Sequence, residues 1–272
     1  MEAIVATTVT TPLAETLAHA AERIEYFSGG YGERPEGWYL ASEVVNDPDA
    51  VNALLDQVFA IYQMDDRQIA AAFLVLGYFW SPMLAALACY VIDRRVPDLS
   101  ASSVAFNLRE VRFTSPRFAA LPDDRDAGHP DAEILPNVDA LRDRLVNQLD
   151  TEHARPLFAT LRAVAPYGLN GMHANYVDRL VSALVWISEA LGDPQIARDD
   201  VPAFVSRMTD KRRAGYIELQ HEGQSGVFQI RGGCCLNYRL PGTEKCDTCS
   251  LRPMDERMEI FRGLLAEGAK AH

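Results

Sequence analysis

Four of the five cysteines in this 272-residue chain lie within one short stretch near its C-terminal end. The stretch reads GGCCLNYRLPGTEKCDTCS, and its thiols at Cys234, Cys235, Cys246 and Cys249 have the spacing Cys-Cys-x10-Cys-x2-Cys. Clustered thiols in a chain otherwise poor in cysteine hold zinc or iron, or form disulfides. This segment is therefore the candidate functional site.

Disulfides are the weakest of these interpretations. A chain of this length buries a core without cross-links, and adjacent cysteines bridge each other only with severe strain. A structural zinc ion is the serious alternative because it takes four thiolates in a tetrahedron. Zinc sites generally use two Cys-x2-4-Cys knuckles, however, and this chain has one, between Cys246 and Cys249.

The vicinal pair Cys234 and Cys235 discriminates further between zinc and iron. Adjacent side chains tend to point in different directions, which makes convergence on one ion awkward, whereas a [2Fe-2S] cluster takes two thiolates on each of two irons. Gly232, Gly233 and Gly242 supply unusual backbone conformations and allow backbone amides to approach the sulfides. The chemistry favours iron-sulfur over zinc and leaves zinc open.

The pattern CCLNYRLPGTEKCDTC resembles the signature of siderophore-iron reductases of the FhuF type. A looser similarity extends upstream through the segment LDTEHARPLFATLRAVAPYGLNGMHANYVDRLVSALVWI, which has the family's pattern of a helix, a Gly/Asn turn and a second apolar helix. The resemblance implies that Cys234, Cys235, Cys246 and Cys249 hold a [2Fe-2S] cluster. It transfers a role to no other residue, so the substrate-binding residues are not identified.

The resemblance also implies an oxidoreductase acting on metal ions, a cytoplasmic ferric-siderophore reductase whose substrates are typically hydroxamate chelates. Hydroxamate and catecholate oxygens are hard donors that hold ferric iron far more tightly than ferrous iron, so one electron releases the metal. The sequence has no strand-GxGxxG-helix fingerprint for direct NAD(P)H oxidation. We therefore expect a separate electron donor, such as a ferredoxin, a flavodoxin or a flavin reductase.

Two other functions are compatible with the same cysteines. One is a zinc-stabilised binding module that captures a siderophore or a protein without reducing it. The other is an iron-sulfur electron carrier or sensor that lacks siderophore reductase activity. Metal content separates the first from a reductase, and reoxidation of the reduced protein by ferric chelates separates the second.

The overall charge limits the partners. With 26 basic and 38 acidic residues, the formal charge is −12, which argues against nucleic-acid binding. The first 20 residues lack the basic start and apolar core of a secretory signal, and we expect a reducing, cytoplasmic location. The apolar stretch from Ile69 to Ile92 is long enough to span a membrane. Pro82 interrupts it, and we predict a buried, kinked helix pair, with membrane contact at most peripheral and Cys89 as a core residue.

Several other residues near the site have candidate roles. Tyr238 and Arg239 could shield the cluster, tune its potential or touch the chelate, although packing and solvent exposure are the simpler interpretations. His173 and Asn175 are interpreted as capping groups near a helix start. The tryptophans Trp38, Trp80 and Trp186 are expected in core or pocket walls.

The predicted fold class is α+β, a mainly helical body with a small antiparallel sheet and a C-terminal Cys-rich metal-binding loop. We predict a siderophore-binding body over residues 1–213, and a β-hairpin, cluster loop and final helix over residues 214–272. The helical body forms the chelate cavity, and the loop presents the cluster at its rim. Hydrophobic periodicity and turn residues predict helices over 11–27, from 47 or 49, over 137–149, 151–165, 172–191, 201–208 and 254–265, strand near 104–113, an exposed loop over 121–136 and a hairpin over 215–233.

Overall fold

The computed structural model describes residues 11–122, 125–209 and 213–268. Within these ranges the chain is a mixed α+β fold, which confirms the predicted class. The helices are α1 (Pro12–Arg23), α2 (Pro48–Tyr62), α3 (Arg67–Asp93), α4 (Val138–Gln148), α5 (Arg155–Val164), α6 (Leu169–Leu191), α7 (Pro194–Met208) and α8 (Met254–Glu267). A π-helical turn, Leu149–Ala154, joins α4 to α5.

The strands form three small sheets rather than one. They are β1 (Gly29–Tyr31), β2 (Tyr39–Leu40), β3 (Val96–Pro97), β4 (Val104–Phe106), β5 (Val111–Phe113), β6 (Phe118–Ala120), β7 (Ala132–Ile134), β8 (Gly215–His221) and β9 (Gln224–Ile230). The orders are β1-β5-β4-β2, β3-β6-β7 and β8-β9. Two pairs, β1 with β5 and β6 with β7, run parallel, so only the hairpin sheet is purely antiparallel as predicted.

The predicted helix starts follow from their capping residues. Thr11 accepts a hydrogen bond from the backbone of Ala14, and Asp47 and Asp66 cap α2 and α3 in the same way. Each side chain satisfies backbone N–H groups that the first helical turn leaves without partners. The predicted starts of the first two helices are confirmed, although α1 ends at Arg23, earlier than expected.

Helix α3 is the central element, and here the predicted helix pair is wrong. The segment forms one continuous helix of 27 residues with Pro82 inside it. Proline removes a helical hydrogen bond, but close packing against the other helices holds the segment helical. By length and composition α3 could cross a membrane, yet 83% of its most apolar window is buried inside the protein. Its apolar surface is therefore covered by other parts of the chain.

Other boundaries differ in smaller ways. The acidic segment after β6 is not wholly loop, because residues 132–134 form β7 beside β6. Helix α7 begins at Pro194, capped by Asp193, seven residues before the predicted start. Of the basic run after it, Lys211 and Arg212 lie outside the described residues, as do residues 1–10 of the N-terminal segment compared above with a secretory signal.

The predicted hairpin is confirmed. Adjacent residues of β9 point to opposite faces of the hairpin and pack into two different hydrophobic cores. Glu222 and Gly223 form the turn with φ angles of 50° and 81°, the positive values that a tight two-residue hairpin needs. On β9, Val227 joins the main core, whereas Phe228 stacks on Phe261 of α8 with ring centroids 4.7 Å apart. The hairpin thus joins α8 to the helical body. The division at residue 213 stays a prediction.

A buried histidine fastens the π-helical turn to α3. The Tyr78 hydroxyl donates to His153 Nδ1 over 2.7 Å, and His153 Nε2 donates to the Leu99 carbonyl over 2.8 Å. Both ring nitrogens are satisfied in the neutral tautomer. Burial lowers the pKa of His153 below its ordinary value, so the neutral form is the folded form.

We predict that His153 makes the fold sensitive to mild acid. Because its folded-state pKa lies below that of the unfolded chain, about 6.5, its stabilisation is present above that pH and is lost as pH falls below it, by at most about 1.4 kcal/mol per pH unit. Thermal melts followed by circular dichroism at pH 7.5 and 5.5 measure the difference. His153→Gln should shrink that difference, whereas His221→Gln, at the end of the hairpin, should not. An unchanged difference in His153→Gln contradicts the assignment.

Candidate metal centre

The cysteine loop connects the end of β9 to the start of α8. Cys249 is buried, and Cys234, Cys235 and Cys246 are half-buried. The chain turns sharply after the vicinal pair, where Leu236 has φ 63° before a short 3-10 turn, and again at Gly242 with φ 75°. The loop thereby folds back and brings both ends of the cysteine motif together.

Helix α6 holds the first part of this loop through one buried carboxylate. Asp178 accepts hydrogen bonds from the backbone N–H groups of Gly232 at 2.8 Å and Gly233 at 2.9 Å. Arg231 forms a salt bridge with the same carboxylate. Burial raises the pKa of Asp178, while Arg231 and the two N–H groups act in the opposite direction. Sequence reasoning missed Asp178, since a single acid in an apolar helix gives no spacing signal.

The two glycines are needed for close approach. A Cβ on Gly233 would lie 2.8 Å from Asn175 Oδ1, and one on Gly232 would lie 3.0 Å from the backbone N of Ala214. The sequence predicts that such glycines let amides approach the sulfides. Instead the amides of Gly232 and Gly233 donate to Asp178, so the glycines serve the docking of the loop onto α6.

Asn175 completes this docking, and its predicted role as a cap is wrong. Helix α6 begins six residues earlier, at Leu169, and Asn175 is fully buried within it. Its Nδ2 lies 2.7 Å from the Tyr167 hydroxyl and 3.4 Å from the Cys234 carbonyl. His173 lies on the same helix and lines a separate cavity behind Gly232.

Several donors surround the sulfurs. The backbone N–H of Leu236 lies 3.4 Å from Cys234 Sγ, and Arg231 Nη1 lies 3.8 Å from Cys246 Sγ. The pKa of Cys235 is lowered, first by a hydrogen bond from the Cys246 thiol and then by the Arg231 guanidinium and a backbone N–H. The pKa of Cys246, the donating thiol, is raised. The loop therefore favours negative charge on Cys235, whereas burial raises the pKa of Cys234.

The four thiols interact with one another. Cys235 and Cys246 shift each other's pKa in opposite directions, and Cys249 acts to raise the pKa of both Cys234 and Cys246. Within the described part of the chain, no three His, Cys, Asp or Glu side chains form a group that could hold one metal ion. Four neighbouring thiols with N–H donors around them fit the donor set of a two-iron cluster, which takes two thiolates on each iron.

Polar contacts also fix the rest of the loop. Arg239 donates to Asp66 and Gln68 at the start of α3, each over 2.6 Å, so this residue tethers the loop to the body. Arg252 donates to the carbonyls of Cys246 and Lys245. Tyr238 is exposed to solvent.

A cavity of about 250 Å³ adjoins the loop. Its lining includes Arg231 and Thr248, which are close in sequence to the cysteines, and the tryptophans Trp80 and Trp186. The expectation that tryptophans line a pocket is therefore confirmed for these two. Cys89 lies elsewhere, fully buried in α3, where burial raises its pKa. It is a core residue, as expected.

We predict that Asp178→Asn loosens the cysteine loop. The amide NH2 would face N–H or guanidinium donors, and Arg231 would lose its counter-charge, at a cost of about 3 kcal/mol or more. The variant should show a lower melting temperature and faster loss of bound iron to a chelator.

Asp200→Asn is the matched control. Asp200 is also a buried helical acid, paired with Arg142 and Tyr90, but it lies outside the contacts of the loop. The Asp200→Asn variant should have a lower melting temperature but should not lose iron faster from the folded protein. Equal iron loss in both variants would contradict a specific role for Asp178.

Residues 231–251 match the family model described as the FhuF 2Fe-2S C-terminal domain. The matched segment begins at Arg231 and contains all four clustered cysteines. No curated protein matches the chain. The family resemblance carried by the cysteine motif is thus confirmed over this segment, and with it the [2Fe-2S] cofactor. The C-terminal segment of this chain is similar to the FhuF 2Fe-2S C-terminal domain.

Proposed function

We propose that this protein is a cytoplasmic ferric-siderophore reductase in which Cys234, Cys235, Cys246 and Cys249 ligate the [2Fe-2S] cluster. The observation that carries the proposal is the cysteine loop itself, which matches the FhuF 2Fe-2S domain and lies beside an open cavity. A cluster next to a cavity places an electron source where a bound chelate can accept an electron.

The cluster supplies one electron per ferric ion when bound. The electron converts Fe(III) in the chelate to Fe(II), and no bond of the siderophore breaks. Hard oxygen donors such as hydroxamates bind Fe(II) weakly, so the metal leaves the chelate when a ferrous acceptor is present. A ferredoxin, flavodoxin or flavin reductase returns one electron to the protein for each turnover.

The surrounding residues have defined tasks in this scheme. Asp178 and Asn175 fix the position of the vicinal cysteines, and Arg239 fixes the middle of the loop on α3. Arg231 presents positive charge to the sulfurs and stabilises the electron-rich state. These residues therefore position the cysteines and adjust their charge.

The proposal is tested with anaerobically reduced protein in a stopped-flow spectrometer. Ferric hydroxamates and catecholates are mixed with it, and ferrous iron is trapped as it appears. We expect reoxidation of the visible chromophore with one Fe(II) formed per electron, fastest with hydroxamates. Protein that contains zinc instead of iron, or reduced protein that no chelate reoxidises, would contradict a reductase.

We predict that Cys246→Ser abolishes or destabilises the chromophore, because serine oxygen replaces one thiolate ligand poorly. Iron and acid-labile sulfide per chain, together with the visible spectrum, measure the effect. Cys89→Ser is the control, since Cys89 is buried in α3 away from the loop, and it should retain full iron and sulfide. An unchanged spectrum and iron content in Cys246→Ser would remove this residue from the ligands.

We also predict that Arg231→Gln lowers the midpoint potential of the cluster. The variant loses a guanidinium beside Cys246 and leaves the Asp178 charge uncompensated, and both changes disfavour an added electron. One to two kcal/mol corresponds to about 40–90 mV for a one-electron couple. Redox titration monitored by electron paramagnetic resonance gives the value. Arg207→Gln, whose guanidinium pairs with Asp139 and Asp143, should leave it unchanged.

A further inference from the structure

The cavity beside the cysteine loop is lined by Arg179, one of three arginines, with Arg112 and Arg257, whose Nε is buried without a hydrogen-bond partner in the described chain. Arg95, Arg142 and Arg231 each pair with a buried aspartate. Arg179 follows Asp178 on α6. Burial and the nearby charge of Arg231 lower the pKa of Arg179 to about 10. The guanidinium remains charged at neutral pH and would gain from a new anionic partner.

The aromatic walls define the shape of the ligand that fits there. The Arg179 guanidinium carbon lies 5.2 Å from the centroid of the Trp80 ring, and Trp80 meets Trp186 edge to face at 6.2 Å. This is a cation–π distance, and the contact restricts the position of the guanidinium. The apolar ring faces suit a methylene chain. A planar carboxylate at the end of such a chain matches the guanidinium bidentately.

The acidic groups of the cavity do not remove its preference for a carboxylate ligand. Asp178 already accepts two backbone N–H groups and the Arg231 guanidinium. Glu189 also lines the cavity and makes an interaction of its own. The volume of about 250 Å³ is below the roughly 300–1,000 Å³ of pockets that enclose whole ligands. The cavity therefore takes one arm of a chelate, with the chelated metal outside it.

We propose that this cavity binds a carboxylate-bearing arm of the ferric chelate, with Arg179 as the residue that recognises the carboxylate. The inference rests on the proposed reductase function and specifies its substrate as a chelate carrying a free carboxylate. Arg179 acts here through binding alone, and the electron transfer described above is unchanged.

The experiment separates binding from reduction by using gallium(III), which resembles ferric iron in size and charge but accepts no electron here. Three gallium complexes of one linear trihydroxamate are compared, ending in a free amine, an N-acetyl group or an N-succinyl carboxylate. Isothermal titration calorimetry against the cluster-loaded protein gives each dissociation constant. We expect the succinyl complex to bind about tenfold more tightly than the acetyl complex.

Two variants assign the preference to Arg179. Arg179→Gln should remove the advantage of the succinyl complex, and Arg179→Lys should keep part of it. Arg162→Gln, an exposed helical arginine on α5, should retain it fully. If a variant does not fold, the three complexes on the unaltered protein still test the carboxylate preference.

Equal binding of the acetyl and succinyl complexes by the unaltered protein would overturn the inference. The inference would also be overturned if Arg179→Gln still bound the succinyl complex more tightly than the acetyl complex while the midpoint potential of its cluster fell. Arg179 would then be a counter-ion of the cluster. If the stopped-flow assay shows that the ferric acetyl and succinyl complexes are reduced equally well, the proposed reductase function stands and this inference is refuted. If no ferric complex reoxidises the reduced protein, the proposed function itself fails.

Discussion

The cysteine site depends on a single buried carboxylate. Asp178 is almost wholly removed from water, and a lone carboxylate in that position would be costly. Its cost is offset by two backbone N–H groups and one guanidinium, all supplied by three consecutive residues, Arg231, Gly232 and Gly233. Because the partners of the charge are the residues just before Cys234, satisfying the charge fixes where the motif begins.

This dependence links the motif to the interior of the protein. Helix α6 packs on α3, the most deeply buried helix, and presents Asn175 and Asp178 on one face, three residues apart as helical geometry requires. The hairpin brings Arg231 to that face at the end of β9. A loop with little regular structure thus acquires a defined position, and rigid placement keeps the reorganisation of a redox site small.

The sequence predicted the elements that local chemistry determines. Capping residues located α1 and α2, the segment Glu-Gly-Gln-Ser-Gly located the hairpin, and the vicinal cysteines favoured a two-iron site over zinc. Tertiary contacts between distant parts of the chain determined the features that the sequence did not predict. Pro82 predicts a break, but tertiary packing outweighs it in α3. The sequence position of Asn175 suggests a helix cap, yet in the folded protein its side chain is buried and contacts the Cys234 carbonyl. Asp178 and Arg179 are adjacent charged residues in an apolar helix, and no spacing rule shows that one fixes the loop while the other faces a cavity.

Arg231 shows why this position needs a guanidinium rather than any positive charge. Its Nε points to Asp178, Nη1 to Cys246 and Nη2 to Asn175, so three separate nitrogens serve three groups in fixed directions. A lysine ammonium carries its donors on one atom and could not span both the carboxylate and the sulfur. The same planar group therefore ties the docking of the loop to the electrostatics of its thiolates. Any shift of Asp178 that rotates this plane also moves positive charge relative to Cys246, which couples the position of the loop to its affinity for an electron.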